Sequence, residues 1–133
     1  MPLHADAGAL SRQSWRLSAT SSRQGLRLSG APLPLRDAGQ RTSEPVAPGT
    51  LQLPPDGQPI VLMAEAQTVG GYARLGHVIS ADLPRLAQLR PGEALHFLPV
   101  TMLEAQRLQR ARSASLARMA LAIEARMAAL FTR

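Results

Sequence analysis

The sequence predicts a mainly β domain that carries one short helix and ends in a long α-helix. Three observations predict it. Two short N-terminal segments alternate apolar and polar residues, an apolar run follows a Pro-Asp-Gly turn, and the stretch from Thr101 to Phe131 contains no Gly or Pro. Alternation is the mark of a half-buried strand, Pro-Asp-Gly reverses the chain, and a long run of good helix formers without breakers is a helix.

In chain order, residues 14–20 (SWRLSAT) put Trp15, Leu17 and Ala19 on one side, and GLRLSG does the same with Leu26 and Leu28 after a Ser-rich turn. Side chains alternate across a strand, so the pair reads as a hairpin packed on one face. Residues 31–49 then hold four prolines and two glycines without period, a loop long enough to be functional or mobile. TLQL (50–53) alternates, PPDG turns the chain back, and PIVLMA is a continuous apolar run expected of a central strand buried on both faces. GHVIS (76–80) reads as another short strand. Asp82 to Leu89 reads as a short helix with Asp82 as N-cap and Pro84 in the first turn, stopped at RPG. EALHFLPV (93–100) is the last expected strand.

Thr101 and Glu104 have the spacing of a capping box, in which a hydroxyl and a carboxylate satisfy free backbone N–H groups at a helix start. In the distal half Leu116, Met119, Ala120, Ile123, Met127 and Leu130 recur at helical spacing, with Arg118 and Arg126 off that stripe. Such a stripe packs on a core or on a partner. The middle, QRARSAS, is polar enough to break the helix or to carry it away from the domain. The expected organisation is an N-terminal extension over 1–13, a β domain over 14–100 and an amphipathic helix over 101–133.

Composition narrows the function classes. At 133 residues, with 45% hydrophobic and 18% charged residues, the chain is a single globular domain and not a charged disordered tail. Its net charge is +6, and all 15 basic residues are Arg. Residues 101–133 hold six Arg against two acids, whereas the first hundred hold nine against seven, so the excess lies on the terminal helix. With only 3% aromatics there is little to stack on bases, and no nucleic-acid interface is expected. The absence of cysteine excludes disulfides, thiolate nucleophiles and Cys-based metal sites. MPLHADAGALSRQ lacks the basic and apolar regions of a secretory signal, and no stretch approaches the roughly 20 apolar residues of a membrane span. A cytoplasmic chain without membrane contact is expected.

The candidate chemistry lies in DGQPIVLMAEAQTVGGY (56–72). After an apolar strand come Gln67, Thr68, Gly70, Gly71 and Tyr72, an amide, two hydroxyls and bare backbone N–H groups at the mouth of a sheet. The glycines can adopt positive φ and let a ligand approach the backbone, and the set suits a carbonyl, carboxylate or ureido group. A plain turn with Tyr72 packed on a neighbour is the alternative. Arg23 and Arg27 flank Gly25 near the first hairpin turn, where a guanidinium can hold a carboxylate or phosphate through two hydrogen bonds, or simply face solvent. His4, His77 and His96 are too dispersed for a metal triad, and His77 and His96 fall in strand patterns that imply half-buried imidazoles. No nucleophile elbow, phosphate loop or zinc motif is present.

From about Trp15 to Gln106 the chain resembles the C-terminal half of the biotin-dependent carboxyltransferase family that includes allophanate hydrolase subunit 2, the C subunit of 5-oxoprolinase and urea amidolyase. The resemblance rests on SSRQGLRLSG, on SEPVAPGTLQLPPDGQPIVLMAEAQTVGGY and on GHVISADLPRLAQLRPGE. It implies a cyclophilin-like β-barrel, members about twice this length with a site between two barrels, and action with a B-type partner protein. The chemistry implied is ATP-dependent hydrolysis of 5-oxoproline or carboxyl transfer from carboxybiotin to urea, with ATP or carboxybiotin supplied through the complex and not bound by this chain alone. Arg23, Gly25, Arg27, Gln58, Gln67, Gly70, Gly71 and Tyr72 match the family pattern and become the substrate-site candidates. Arg23 would hold an anionic group, Gln67 and the Gly70 and Gly71 amides the substrate amide, and Tyr72 would close the pocket. Two stretches depart from the pattern: Gln24 and Leu26 stand where Met and Tyr are usual, and Glu65-Ala66-Gln67 replaces Asp-Arg-Gln, which removes a hydroxyl and a guanidinium. Lacking the N-terminal barrel half, the chain is expected to be inactive alone. The alternative is a truncated, non-catalytic protein-binding module; prolyl isomerase activity is disfavoured because two Phe and one Trp do not make an aromatic proline pocket.

Overall fold

The structure, a computed structural model, describes residues 7–35 and 43–131, with side chains over 8–35 and 43–122. Residues through Pro99 form one compact unit and those from Val100 a second. The first unit is built on Trp15–Leu17 (β1), Gly25–Ser29 (β2), Glu44–Pro45 (β3), Thr50–Leu53 (β4), Ile60–Leu62 (β5), Val69–Gly70 (β6), Ala73–His77 (β7) and Ala94–Leu95 (β8). Six strands form one antiparallel sheet in the order β7-β4-β5-β2-β1-β8, and β3 pairs with β6 in a separate ribbon.

The alternation read from the sequence decides which face is inside. Trp15 and Leu17, Leu26 and Leu28, Leu51 and Leu53, Val61, and Ala73 and Leu75 are buried in one cluster with Leu10, Leu33, Val78 and Leu86. Each large side chain removed from water contributes about 1.5–3 kcal/mol. Because β7 at one edge and β1 near the other feed the same cluster, the sheet curls around it. A four-residue helix, Ala7–Leu10 (α1), packs against β7, while the fully buried Trp15 donates its indole N–H to the Leu10 carbonyl at 2.9 Å. The mainly β class with a short and a long helix is therefore as the sequence predicts. The barrel stops short of closure: among the described residues no ladder joins β7 to β8.

Several elements differ from the sequence reading. The strand expected at GHVIS starts earlier, at Ala73, because its pairing with β4 runs from Leu53↔Ala73 to Thr50↔His77. The last expected strand contracts to Ala94–Leu95, and Ala19 is exposed. Burial on both faces belongs to β4, all four of whose residues are buried, while the PIVLMA strand is central but partly covered from Leu62 onward. Asp82 closes a 3₁₀ turn, Ser80–Asp82, that runs into the helix Leu83–Ala87 (α2). Asp82 lies in the helical region without a side-chain cap bond, and its carboxylate sits 3.5 Å from Arg85. His77 and His96 are exposed, not half-buried. Part of the expected 31–49 loop lies outside the described residues, but β3 shows that its end is a strand.

In the second unit Met102–Phe131 (α3) is continuous through QRARSAS. The Thr101 hydroxyl accepts the Glu104 N–H at 3.1 Å, giving the hydroxyl half of the expected capping box. The Glu104 carboxylate instead takes both guanidinium nitrogens of Arg107, at 2.6 and 3.1 Å, a pair that raises the Arg107 pKa. Leu116, Met119 and Ala120 of the apolar stripe are exposed, so that part of it is not core; the side chains of Ile123, Arg126, Met127 and Leu130 lie outside the described ones.

The Pro-Asp-Gly turn depends on Gly57, whose φ is +77° and whose N–H donates to the Pro54 carbonyl at 3.0 Å. A Cβ there would come within 2.8 Å of both the Leu33 carbonyl oxygen and Pro32. Gly57→Ala should cost about 1–3 kcal/mol of stability by thermal melting. Gly76→Ala, whose Cβ meets nothing within 4 Å, should change it by less than about 0.5 kcal/mol.

Candidate functional site

The register of the sheet lays a row of side chains on the face opposite the core. Arg27 lies opposite Ile60, Ile60 opposite Gln52, and Gln52 opposite Arg74. Residues directly opposed across antiparallel strands share a face, so the row is continuous from β2 to β7. A bulge fixes its end: Leu51 pairs with Gly76 but Gln52 with Arg74, which leaves Leu75 as the extra residue and turned into the core.

Above this row lies a cleft of about 550 Å³. Arg27, Ile60 and Gln52 line its floor, with Gly25 and Leu62 on the adjoining register position. Ser22 and Gln24 form the wall on the hairpin side, and Ala66, Gln67, Gly70, Gly71 and Tyr72 form the opposite one. Gly25 keeps the floor open, since a Cβ there would come 2.9 Å from the Ile60 side chain. The second wall hangs from the β3–β6 ribbon, which Arg74 anchors from below through an ion pair with Glu44 at 2.7 Å. Arg74 is only 5% exposed while the Glu44 side chain is 39% exposed, so breaking the pair would strand a buried guanidinium.

The sequence-derived candidates separate into two groups. Gly25, Arg27, Gln67, Gly70, Gly71 and Tyr72 line the one cleft, and Tyr72 is half exposed at its edge. No carboxylate among the described residues reaches the Arg27 guanidinium. Arg23 and Gln58 are not brought in. Arg23 is exposed and lies 3.6 Å from Glu65. Gln58 accepts the Gly30 N–H and donates to the Gly30 carbonyl, each at 3.0 Å, which makes it a clamp on the chain after β2. Gly70 does not use left-handed backbone as expected; a Cβ there would overlap the Gln52 amide as it stands, so the glycine lets that side chain lie beneath the ribbon. Leu26, where the family pattern has Tyr, points into the core, so the lost hydroxyl is not a cleft group, whereas Ala66 does line the cleft.

Gln52 and Arg74 were missed by sequence reasoning. Each is a polar residue inside a strand that the apolar pattern treats as solvent-facing, yet each is about nine-tenths or more buried. The one signal was Gln52 between two leucines in a strand flanked by two others. The lining as a whole offers amides, hydroxyls, backbone groups and one guanidinium, with no His, Asp or Glu. Among the described residues no three His, Cys, Asp or Glu gather as a metal site, and no helix is long and apolar enough to cross a membrane.

The described residues thus form a curled antiparallel sheet with a polar cleft on its outer face. The chain belongs to the carboxyltransferase domain family, subdomains A and B, whose profile matches residues 3–99. It is 44% identical over 99 residues to the C subunit of 5-oxoprolinase from Haemophilus influenzae, covering 74% of this chain and 32% of that protein. It is 43% identical over 101 residues to the C subunit of 5-oxoprolinase from Escherichia coli, covering 76% and 33%. The urea carboxylase of Kluyveromyces lactis superposes with a TM-score of 0.75 over 81% of this chain and 10% of its own, at 20% identity, a likeness of fold. The chain thus spans about a third of the length of the curated relatives it matches, less than the half implied by the resemblance.

If Gln58 serves as a clamp, Gln58→Ala should lower stability by about 0.5–1.5 kcal/mol, the net worth of a hydrogen bond whose Gly30 partner stays open to water. Ligand affinity in the cleft should change less than twofold, read by melting and by titration on the same sample.

Proposed function

We propose that this chain supplies the substrate-binding cleft of an enzyme like 5-oxoprolinase, in the place of its C subunit, or like allophanate hydrolase in the place of its subunit 2, in a cytoplasmic complex with a B-type partner protein. The observation that carries this reading is the convergence of Arg27, Gln67, Gly70, Gly71 and Tyr72 on one cleft of about 550 Å³. Arg27 would hold an anionic group through charge-assisted bonds, Gln67 and the glycine backbone would hold a planar amide, and Tyr72 would cover the mouth.

The lining also divides the labour. A magnesium-bound triphosphate needs several cations or N–H donors and oxygen ligands for the metal, and the cleft offers one guanidinium and no carboxylate. ATP therefore does not fit here, and the partner would handle it. A ureido ring needs the same amide donors and acceptors as a lactam, so a carboxybiotin head fits, held by Gln67 and the Gly70–Gly71 segment; it would supply the carboxyl group for transfer. With no His, Asp or Glu in the lining and the Tyr72 phenol its one candidate for proton transfer, this chain binds and orients, and the remaining proton transfers fall to groups outside it. That is the physical reason for expecting no turnover from the isolated chain.

The exposed Leu116, Met119 and Leu121 on α3 favour a second reading, a non-catalytic module that binds a protein partner. Reconstitution with the missing barrel half and a B-type partner protein separates the two. ATP hydrolysis dependent on 5-oxoproline, or carboxyl transfer to urea, should appear only in the full assembly. Arg27→Ala should reduce kcat/KM about 10- to 100-fold, as loss of about 1.5–3 kcal/mol from a charged hydrogen bond requires. Full activity retained by both Tyr72→Phe and Gln67→Ala would rule the cleft out as the substrate site.

A further inference from the structure

We infer that Gln52 is the group that reads the ligand amide, so that the cleft selects compounds presenting N–H and C=O side by side on one edge: a lactam or a cyclic urea. The inference rests on the reading above that the cleft takes a planar amide. It goes further by assigning recognition to a residue on the floor.

Gln52 is 5% exposed, lines the cleft, and its Nε2 has no hydrogen-bond acceptor among the described residues. Buried amides almost always find partners, and an unmet one in a folded protein points to a group kept for another purpose. Packing does not account for a Gln here: Met or Leu would fill the same strand position without the desolvation cost of a lone donor.

Two other glutamines in this unit show what such an amide does when its partner is present. Gln13 donates to the Ala31 carbonyl at 2.8 Å and accepts the Ala31 N–H at 2.9 Å. Gln58 grips Gly30 in the same two-ended manner. Gln52 is built for the same grip and has no backbone edge in front of it. Its Nε2 lies against Gly70, on the ribbon that walls the cleft. In the structure that nitrogen lies beneath Gly70; a shift of the whole side chain that turned the amide edge toward the cleft would let Nε2 donate to a ligand carbonyl while Oε1 accepts the adjacent N–H. A lactone of the same ring size offers no N–H and loses one of the two bonds. Arg27, two strands away along the same row, is free to take a carboxylate on the far side of the ligand.

The test uses the full chain, labelled with nitrogen-15, and follows side-chain amide and backbone signals on titration with 2-pyrrolidone and with γ-butyrolactone. The Gln52 side-chain signals should shift saturably with the lactam, and the lactone should bind at least tenfold more weakly. Gln52→Met should weaken lactam binding at least tenfold while its melting temperature stays level or rises, because a lone buried donor is removed. A merely structural Gln52 would move the melting temperature down. Equal affinity for lactam and lactone, unshifted Gln52 signals, or a Met variant that binds as the parent does would overturn the assignment. Should Gln67, Gly71 and Tyr72 shift while Gln52 does not, the cleft reading survives and Gln52 alone is wrong; should no cleft signal move with either ring, both fail.

Discussion

The bulge at Leu75 is the constraint on which the rest of the site depends. Side chains alternate along a strand, so a slip of one residue between β4 and β7 would exchange the two faces. By absorbing one extra residue, the bulge keeps Leu75 in the core and still sets Arg74 opposite Gln52 on the outer face. Arg74 then reaches Glu44 and holds the ribbon, and the ribbon holds Gly70 over Gln52. A local irregularity in one ladder thus places a wall of the cleft that lies elsewhere in the chain.

The same constraint explains what could be read in advance. Alternation around Trp15, Leu17, Leu26 and Leu28 disclosed the core face directly, since those residues have one role each. Gly57 was legible because a Pro-Asp-Gly turn has a local cause. Gln52 and Arg74 were not legible: a polar residue in an alternating strand looks solvent-facing, and only the fold reveals that a second layer covers it. Gly70 was singled out for backbone freedom, but its φ is not positive, and what the fold sets against it is a side chain eighteen positions earlier in sequence. Arg23 and Gln58 show the converse case, candidates that the structure leaves out of the cleft lining. Matching a family pattern identified them as special, but the specialness of Gln58 is its hold on Gly30.

The lining of the cleft is amides, hydroxyls, backbone groups and one guanidinium, without the His or carboxylates that change charge between about pH 3 and 8. The fold that carries it resembles that of urea carboxylase, and the sequence resembles the C subunit of 5-oxoprolinase.

The terminal helix has a consequence of scale. Thirty helical residues extend about 45 Å, whereas a domain of about 100 residues has a radius of gyration near 13 Å. A compact body of that radius of gyration is about 34 Å across, so the two ends of the rod lie farther apart than opposite sides of a domain of that size.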